Sequence, residues 1–276
     1  MKKNTIDFSK QCSLEELHKI MKTMLIDIDK VCEEEELDYF LIDGTLLGAA
    51  RHKGFIPWDD DVDIAMPRKD YEKFVKIAQE KIGNKYFVQT LDTDKEYDQF
   101  YIPLKIRDNN STLIEVYGKK YHEGVFVDVF PFDFLDDRVK KQIMHKRIMH
   151  FLSVGKGPIS MYRFPSLHFW ARLAVQLVGR MIPLKLIVKY SDYVVREYKS
   201  ASQTEYMTYG YELPWRNIFK TQDIYPLKKI EFEDVLLNCP NNETAILTEV
   251  YGDYMQLPPK EKQFTHAKFY SNERLF

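Results

Sequence analysis

The segment Asp59-Asp60-Asp61-Val62-Asp63-Ile64-Ala65-Met66 constrains this chain more than any other. It runs four carboxylates in five positions straight into an apolar stretch. Val62, Ile64 and Met66 alternate with Asp61, Asp63 and Ala65, and that period of two predicts a strand. Residues two apart in a strand share a face, so Asp61 and Asp63 are expected together with Val62 and Ile64 turned into a core. Two carboxylates that close repel unless a cation lies between them, and hard oxygen ligands suit Mg²⁺, Mn²⁺ or Ca²⁺. A solvated acidic loop is the plainer reading of a charge run. The adjoining Trp58 and the β-branched alternation argue against it, because they set the acids beside a core.

Upstream, Tyr39–Ile42 reads as a short strand and Leu46–Ala50 as a short helix, with Gly44-Thr45 between them. A Gly-Thr turn at a helix start can offer backbone N–H groups to a phosphate. The basic Arg51-His52-Lys53 follows, and then the Asp-x-Asp strand. That order resembles the signature of the nucleotidyltransferase fold. The longer string GTLLGAARHKGFIPWDDDVDIAM, with RKDYEKF after it, resembles the LicD family, whose eukaryotic relatives include fukutin and fukutin-related protein. The resemblance implies an α+β fold: a nucleotidyltransferase-like core of mixed β-sheet flanked by helices.

A chain of 276 residues, 45% hydrophobic and 30% charged, is long enough for one sizeable core. The expected organisation is a single LicD-like domain. It comprises a core over 13–135, a basic helical segment over 136–212, and a C-terminal hairpin-and-helix extension over 213–276. Cys12, Cys32 and Cys239 are widely spaced and form no zinc or C-x-x-C pattern, which points to a reducing compartment. The zinc-binding cysteines of fukutin-related proteins have no counterpart. No apolar leader follows the N-terminal lysines and no run of 18 apolar residues occurs, so a cytoplasmic protein is expected. The formal net charge of −2 conceals a polarity. Residues 138–191 hold eleven Lys and Arg and no Asp or Glu, which leaves 29 basic against 42 acidic residues elsewhere. That balance excludes a nucleic-acid-binding protein and suits an anionic partner for the one segment.

Ser13-Leu14-Glu15-Glu16 is a capping box, and Leu17, Met21, Met24, Leu25, Ile28 and Val31 follow at helical spacing. A second helix is expected between Pro67 and Gly83. Strands are expected at 86–89, 100–107, 112–116 and 125–130. In the second of these, Lys105 and Arg107 share a face, either as a phosphate clamp or as a plain solvent-facing edge. The LicD resemblance favours the clamp, since Lys105, Arg107, Asp108 and Thr112 match its Lys-x-Arg-Asp…Thr pattern. Asp128 stands among Val and Phe in a strand, a costly place for a carboxylate unless it is paired or ligates a cation. It also fits the family's Asp-[Ile/Val]-Phe-Pro motif and the need for a third carboxylate, with Asp133 as the fallback.

Farther on, Phe169, Trp170, Leu173, Ala174, Leu177, Val178 and Met181 form an apolar helix face opposite Arg172, Gln176 and Arg180, and a helix resumes over 184–198. A pair of helices packed on the core is the expected role. A peripheral contact of segment 138–190 with the inner face of the cell membrane is the alternative. A hairpin over 230–239 and a helix over 243–251 close the pattern, and His266 matches the family's C-terminal motif.

The constellation is three metal-binding aspartates, Asp61, Asp63 and Asp128, with basic residues for phosphate and no Gly-x-x-x-x-Gly-Lys-[Ser/Thr] loop. It describes phosphoryl or nucleotidyl transfer assisted by Mg²⁺ or Mn²⁺. Gly44, Thr45, Arg51, His52, Lys105, Arg107, Thr112 and His266 are the expected substrate-binding residues. Asp128 is the expected base for an acceptor hydroxyl. The resemblance implies a CDP-activated alcohol as donor, CDP-choline first, then CDP-ribitol or CDP-glycerol. It implies release of CMP and, as acceptor, a glycan of teichoic acid, lipopolysaccharide or capsule, often lipid-linked. An NTP-dependent nucleotidyltransferase and a non-catalytic polyanion-binding module are the competing readings.

Overall fold

The computed structural model describes residues 6–136, 138–157, 167–198 and 204–275, with backbone alone over 167–169. Residues 158–166 of the basic segment, and the Phe169 side chain, therefore lie outside the description. The fold is α+β. The chain forms two compact units, one of residues 1–97, 103–130 and 222–276 and the other of 98–102 and 131–221.

In the first unit, helix α1 (Leu14–Glu34) starts on the expected capping box: Ser13 Oγ accepts the Glu16 N–H at 3.2 Å and the Glu16 carboxylate accepts the Ser13 N–H at 2.8 Å. Its periodic residues Leu17, Met21, Met24, Leu25 and Ile28 are all buried. Next come β1 (Phe40–Leu41), α2 (Asp43–His52), β2 (Asp63–Pro67), α3 (Arg68–Lys81), β3 (Tyr86–Gln89), β4 (Lys105–Asp108), β5 (Thr112–Ile114) and β6 (Phe126–Phe134). The sheet order is β1-β2-β6-β4-β3. Antiparallel registers set Phe40 against Ala65, Lys105 against Asp128, and Gln89 against Lys105. β4 is thus an interior strand, and the solvent-edge reading of Lys105 and Arg107 falls: neither has any exposed surface. The strand expected over 100–107 is confined to its last residues, because residues 98–102 leave this unit.

β6 runs past Phe130, where the sequence reading stopped. Pro131 cannot donate to a ladder, and it is there that β6 passes from the first unit into the second. In the second unit its end pairs with β7 (Tyr206–Tyr209), Phe132 opposite Tyr209, and β7 pairs with β8 (Ile218–Lys220). Asp133 lies here and accepts the Tyr211 N–H at 3.0 Å. Helices α4 (Val139–Lys156), α5 (Leu167–Met181) and α6 (Leu184–Tyr198) complete this unit. α6 forms where a helix is expected and buries Ile187, Val194 and Tyr198. α5 reverses expectation, with Trp170, Leu177, Val178 and Met181 exposed and Gln176 buried.

The chain returns to the first unit through α7 (Thr221–Ile224), whose first residue still belongs to the second. The hairpin β9 (Lys228–Phe232) and β10 (Val235–Cys239) follows, then α8 (Glu243–Tyr251), which ends at Gly252 with φ +70°. β11 (Phe269–Ser271) pairs with β5. The C-terminal hairpin and helix are present and belong to the same compact unit as β1 to β5.

Candidate active site

Helix α2 begins a turn earlier than the sequence pattern suggests, so Gly44 and Thr45 lie inside its first turn. Asp43 opens it with φ +47°, a left-handed conformation that costs a non-glycine residue energy and marks a site worth reading chemically. Thr45 is buried, and its hydroxyl accepts the Asp63 N–H at 2.8 Å, tying α2 to the start of β2. Gly44 is required for close approach: a Cβ there would stand 2.9 Å from Asp59 Oδ2.

These constraints gather carboxylates from three segments. Burial raises Asp63 well above the ordinary range, and the charges that act on it most strongly are four other carboxylates: Asp61, Asp43, Asp128 and Asp59. Asp61 is pushed up to about 8 by burial, then by Asp59 and Asp60. Burial pushes Asp59 up to about 6, with Asp60 adding to the rise while a hydrogen bond from Asp61 opposes it. Asp43 carried no sequence signal, because a lone aspartate before Gly-Thr looks like an ordinary helix start. Tyr251 was also missed. It is partly exposed at the end of α8, and its hydroxyl is pushed up by burial and then by Asp43, Asp63, Asp59 and Asp61.

Asp128 faces a different neighbour. Lys105 Nζ stands 2.9 Å from Asp128 Oδ1 and donates to Oδ2 at 3.1 Å, while Oδ1 accepts no hydrogen bond. Burial lifts Asp128 to about 7 against the pull of Lys105. Arg107 donates to Gln89 Oε1, the Gly124 carbonyl and Glu115 Oε2 at 2.8, 2.9 and 3.2 Å. Both cations lie over the Phe126 ring, Lys105 Nζ 3.4 Å from its centroid. Burial opposes ionisation of Glu115, but Lys105 and Arg107 outweigh it and hold Glu115 below its usual value. Two cations are thus spent on Asp128 and Glu115, and the four charges that act most strongly on Asp63 are all negative.

The other expected binding residues spread out. Arg51 donates to the Tyr254 carbonyl at 2.8 Å and to His52, whose ring meets Trp58 edge-on. Thr112 bonds the Glu273 carbonyl and the Leu275 N–H within the C-terminal strand pairing, and it lines a cavity of about 380 Å³ with Ser111, His122 and Arg274. His266 Nδ1 stands 3.6 Å from Asp60 Oδ1. Among the described residues, the one set of three ligand groups with atoms within 4.8 Å of each other is Asp59, Asp60 and His266, and Asp61, Asp63 and Asp128 are not drawn that tight.

Residues 36–171 match the family described as LicD/FKTN/FKRP, nucleotidyltransferase domain, so the match takes in α2, the acidic strand and both buried cations. The lipopolysaccharide cholinephosphotransferase LicD of Haemophilus influenzae is 29% identical over 93% of this chain and 97% of its own length. The chain carries a LicD-family domain over residues 36–171. Shorter matches join this chain to uncharacterised proteins of Rickettsia typhi, 39% identical over 22% of this chain and 18% of theirs, and of Rickettsia prowazekii, 41% over 20% and 19%.

The LicD-type carboxylate cluster carries a pH signature. A carboxyl whose folded pKa is raised takes up a proton in the native state before the unfolded chain does, so stability rises as pH falls through the folded value. With Asp61 near 8, Asp128 near 7 and Asp59 near 6, the metal-free protein is expected to melt higher at pH 6 than at pH 8.5. A stabilisation of about 1 kcal/mol would raise Tm by about 2–4 °C. Added Mg²⁺ is expected to flatten that slope. A thermal-melt series in chelator, with and without the metal, checks both, and a metal-free Tm that rises from pH 6 to pH 8.5 would contradict the cluster.

Proposed function

We propose that this protein transfers phosphocholine from CDP-choline to a hydroxyl of a cell-surface glycan of the lipopolysaccharide type, on a nucleotidyltransferase-like core. One observation carries the reading: Asp61 and Asp63 are set among further carboxylates at a family-matched position, a cost that a divalent cation and a diphosphate substrate would repay. The curated relative named for lipopolysaccharide cholinephosphate transfer supports the substrate class. The donor set is all oxygen, and the charges that act most strongly on buried Asp63 are those of four further carboxylates, so the residues fit Mg²⁺ or Mn²⁺. Asp61, Asp63 and Asp128 would hold it. When bound, such an ion neutralises the donor diphosphate and polarises the phosphorus under attack.

The protein's own residues then divide the work. Thr45 and Gly44 hold α2 and Asp59 in register with Asp63. Asp128, poised near 7 and fixed by Lys105, accepts the proton of the acceptor hydroxyl. The hydroxyl oxygen bonds to the choline-bearing phosphorus, the bond from that phosphorus to the bridging oxygen breaks, and CMP departs with that oxygen. Lys105 and Arg107 act as buried counter-charges that keep Asp128 and Glu115 in place. Tyr251 offers a partly exposed ring beside the acids, suited to a quaternary ammonium. A cytoplasmic enzyme working on a lipid-borne acceptor would meet it at a membrane.

Incubation of the purified protein with CDP-choline, Mg²⁺ and a lipopolysaccharide acceptor is expected to release CMP, with choline phosphate appearing on the glycan. Chelation is expected to stop it. Pyrophosphate from CTP without CMP from CDP-choline would favour the NTP-dependent reading instead.

A further inference from the structure

Two helices of the second unit present their apolar sides to solvent. α4 buries Gln142, His145 and Lys146 together with Met149 and Leu152, while Met144, Ile148 and Phe151, spaced to share one face, are exposed. α5 repeats the pattern: Gln176 is 2% exposed, whereas Trp170, Leu177 and Val178 are each over half exposed and Met181 is 82% exposed. The polar side chains turned inward have protein partners. Lys146 donates to the Tyr209 and Gly210 carbonyls at 2.7 and 2.9 Å, and Gln142 donates to Asp136. α4 and α5 meet through Gly155 and Gly179, where a Cβ on Gly155 would lie 2.8 Å from the Gly179 Cα. A helix of a water-soluble domain turns its large apolar residues to the core. These two meet through glycines, and both leave a row of large apolar side chains outside.

The charge of the same segment identifies what would cover that face. Residues 138–191 carry eleven cations and no acid. Lys140, Arg147, Arg180, Lys185 and Lys189 are exposed, and none is ion-paired to a described residue. A second copy would bring like charge against like. An anionic bilayer takes both features at once, apolar side chains at the acyl boundary and ammonium and guanidinium groups among the phosphates. No helix of the described residues is long and apolar enough to cross a membrane, so the contact is interfacial. We propose that α4 and α5 dock this protein on the surface of an anionic lipid bilayer through Met144, Ile148, Phe151, Trp170, Leu177 and Met181. The inference stands on burial and charge in the second unit and does not depend on the transfer reaction.

The test is sedimentation of the full chain with vesicles of phosphatidylcholine alone or with about a third phosphatidylglycerol, at about 0.05 M and about 0.5 M salt. The protein is expected to pellet with the anionic vesicles at low salt and to lose about tenfold in binding at high salt or on neutral vesicles. A Leu177→Glu, Met181→Glu double variant, altered only at exposed positions, is expected to lose about tenfold while keeping its Tm and its activity on a soluble acceptor. Trp170 emission is expected to shift to the blue on binding, a change that Trp170→Phe removes. An inactive Asp63→Asn protein is expected to bind vesicles as the native one does, which separates failure of docking from failure of the transfer reading. Absence of pelleting, equal binding to neutral vesicles, or a dimer abolished by the double variant would each overturn the proposal.

Discussion

Asp63→Asn is expected to lower kcat by about 10³-fold while leaving Tm in metal-free buffer unchanged or higher. The two effects have one cause. Asp63 begins β2 with its N–H fixed by Thr45, so an isosteric amide keeps the backbone geometry. The carboxylate itself is held at a cost, because burial and then Asp61, Asp43, Asp128 and Asp59 all disfavour its charge. Removing the charge relieves that cost in the free protein and removes a metal-holding group from the working one. The checks are CMP release under saturating CDP-choline and a melt in chelator. The native protein is expected to gain Tm on adding Mg²⁺, and the variant to gain much less. A variant that melts far below the native protein in chelator would mean that Asp63 stabilises the fold, and the metal assignment would fail.

Lys105→Met is expected to cost stability rather than affinity, about 3–5 kcal/mol, equivalent to a Tm loss of about 10 °C or more. Lys105 has no exposed surface, and its ammonium stands 2.9 Å from Asp128 and 3.4 Å from Glu115, above the Phe126 ring. Its loss leaves two carboxylates facing only Arg107 in a low-dielectric site, and an unpaired buried charge costs far more than an exposed pair contributes. Adding Asp128→Asn is expected to restore at least half of the lost Tm, because the orphaned charge is removed together with its partner. Thermal melts of the two single variants and the double one complete the cycle. A phosphate clamp would behave otherwise: Lys105→Met would raise the KM for CDP-choline at an unchanged Tm, and the double variant would restore nothing.

Much of this protein was legible along the chain, because local interactions govern those parts. The capping box and periodic face of α1, the helices over 184–198 and 243–251, and the burial of Val62 and Ile64 on either side of Asp63 follow from spacing and side-chain type, although the strand itself begins only at Asp63. The LicD character was legible too, because the run from Gly44 through Met66 packs the turn, the cations and the acids into one continuous stretch. Tertiary structure alone decided the partners. Alternation told that Lys105 and Arg107 share a face, but not that β4 would lie between two strands and set Lys105 opposite Asp128. Asp43 and Tyr251 act on the acidic cluster through the fold, which brings residues of α2 and α8 near β2. The helical period located the apolar stripe of α5 but not its direction. Amphipathicity is a property of one helix, whereas which side turns inward depends on what the rest of its unit offers, here Gly155 opposite Gly179.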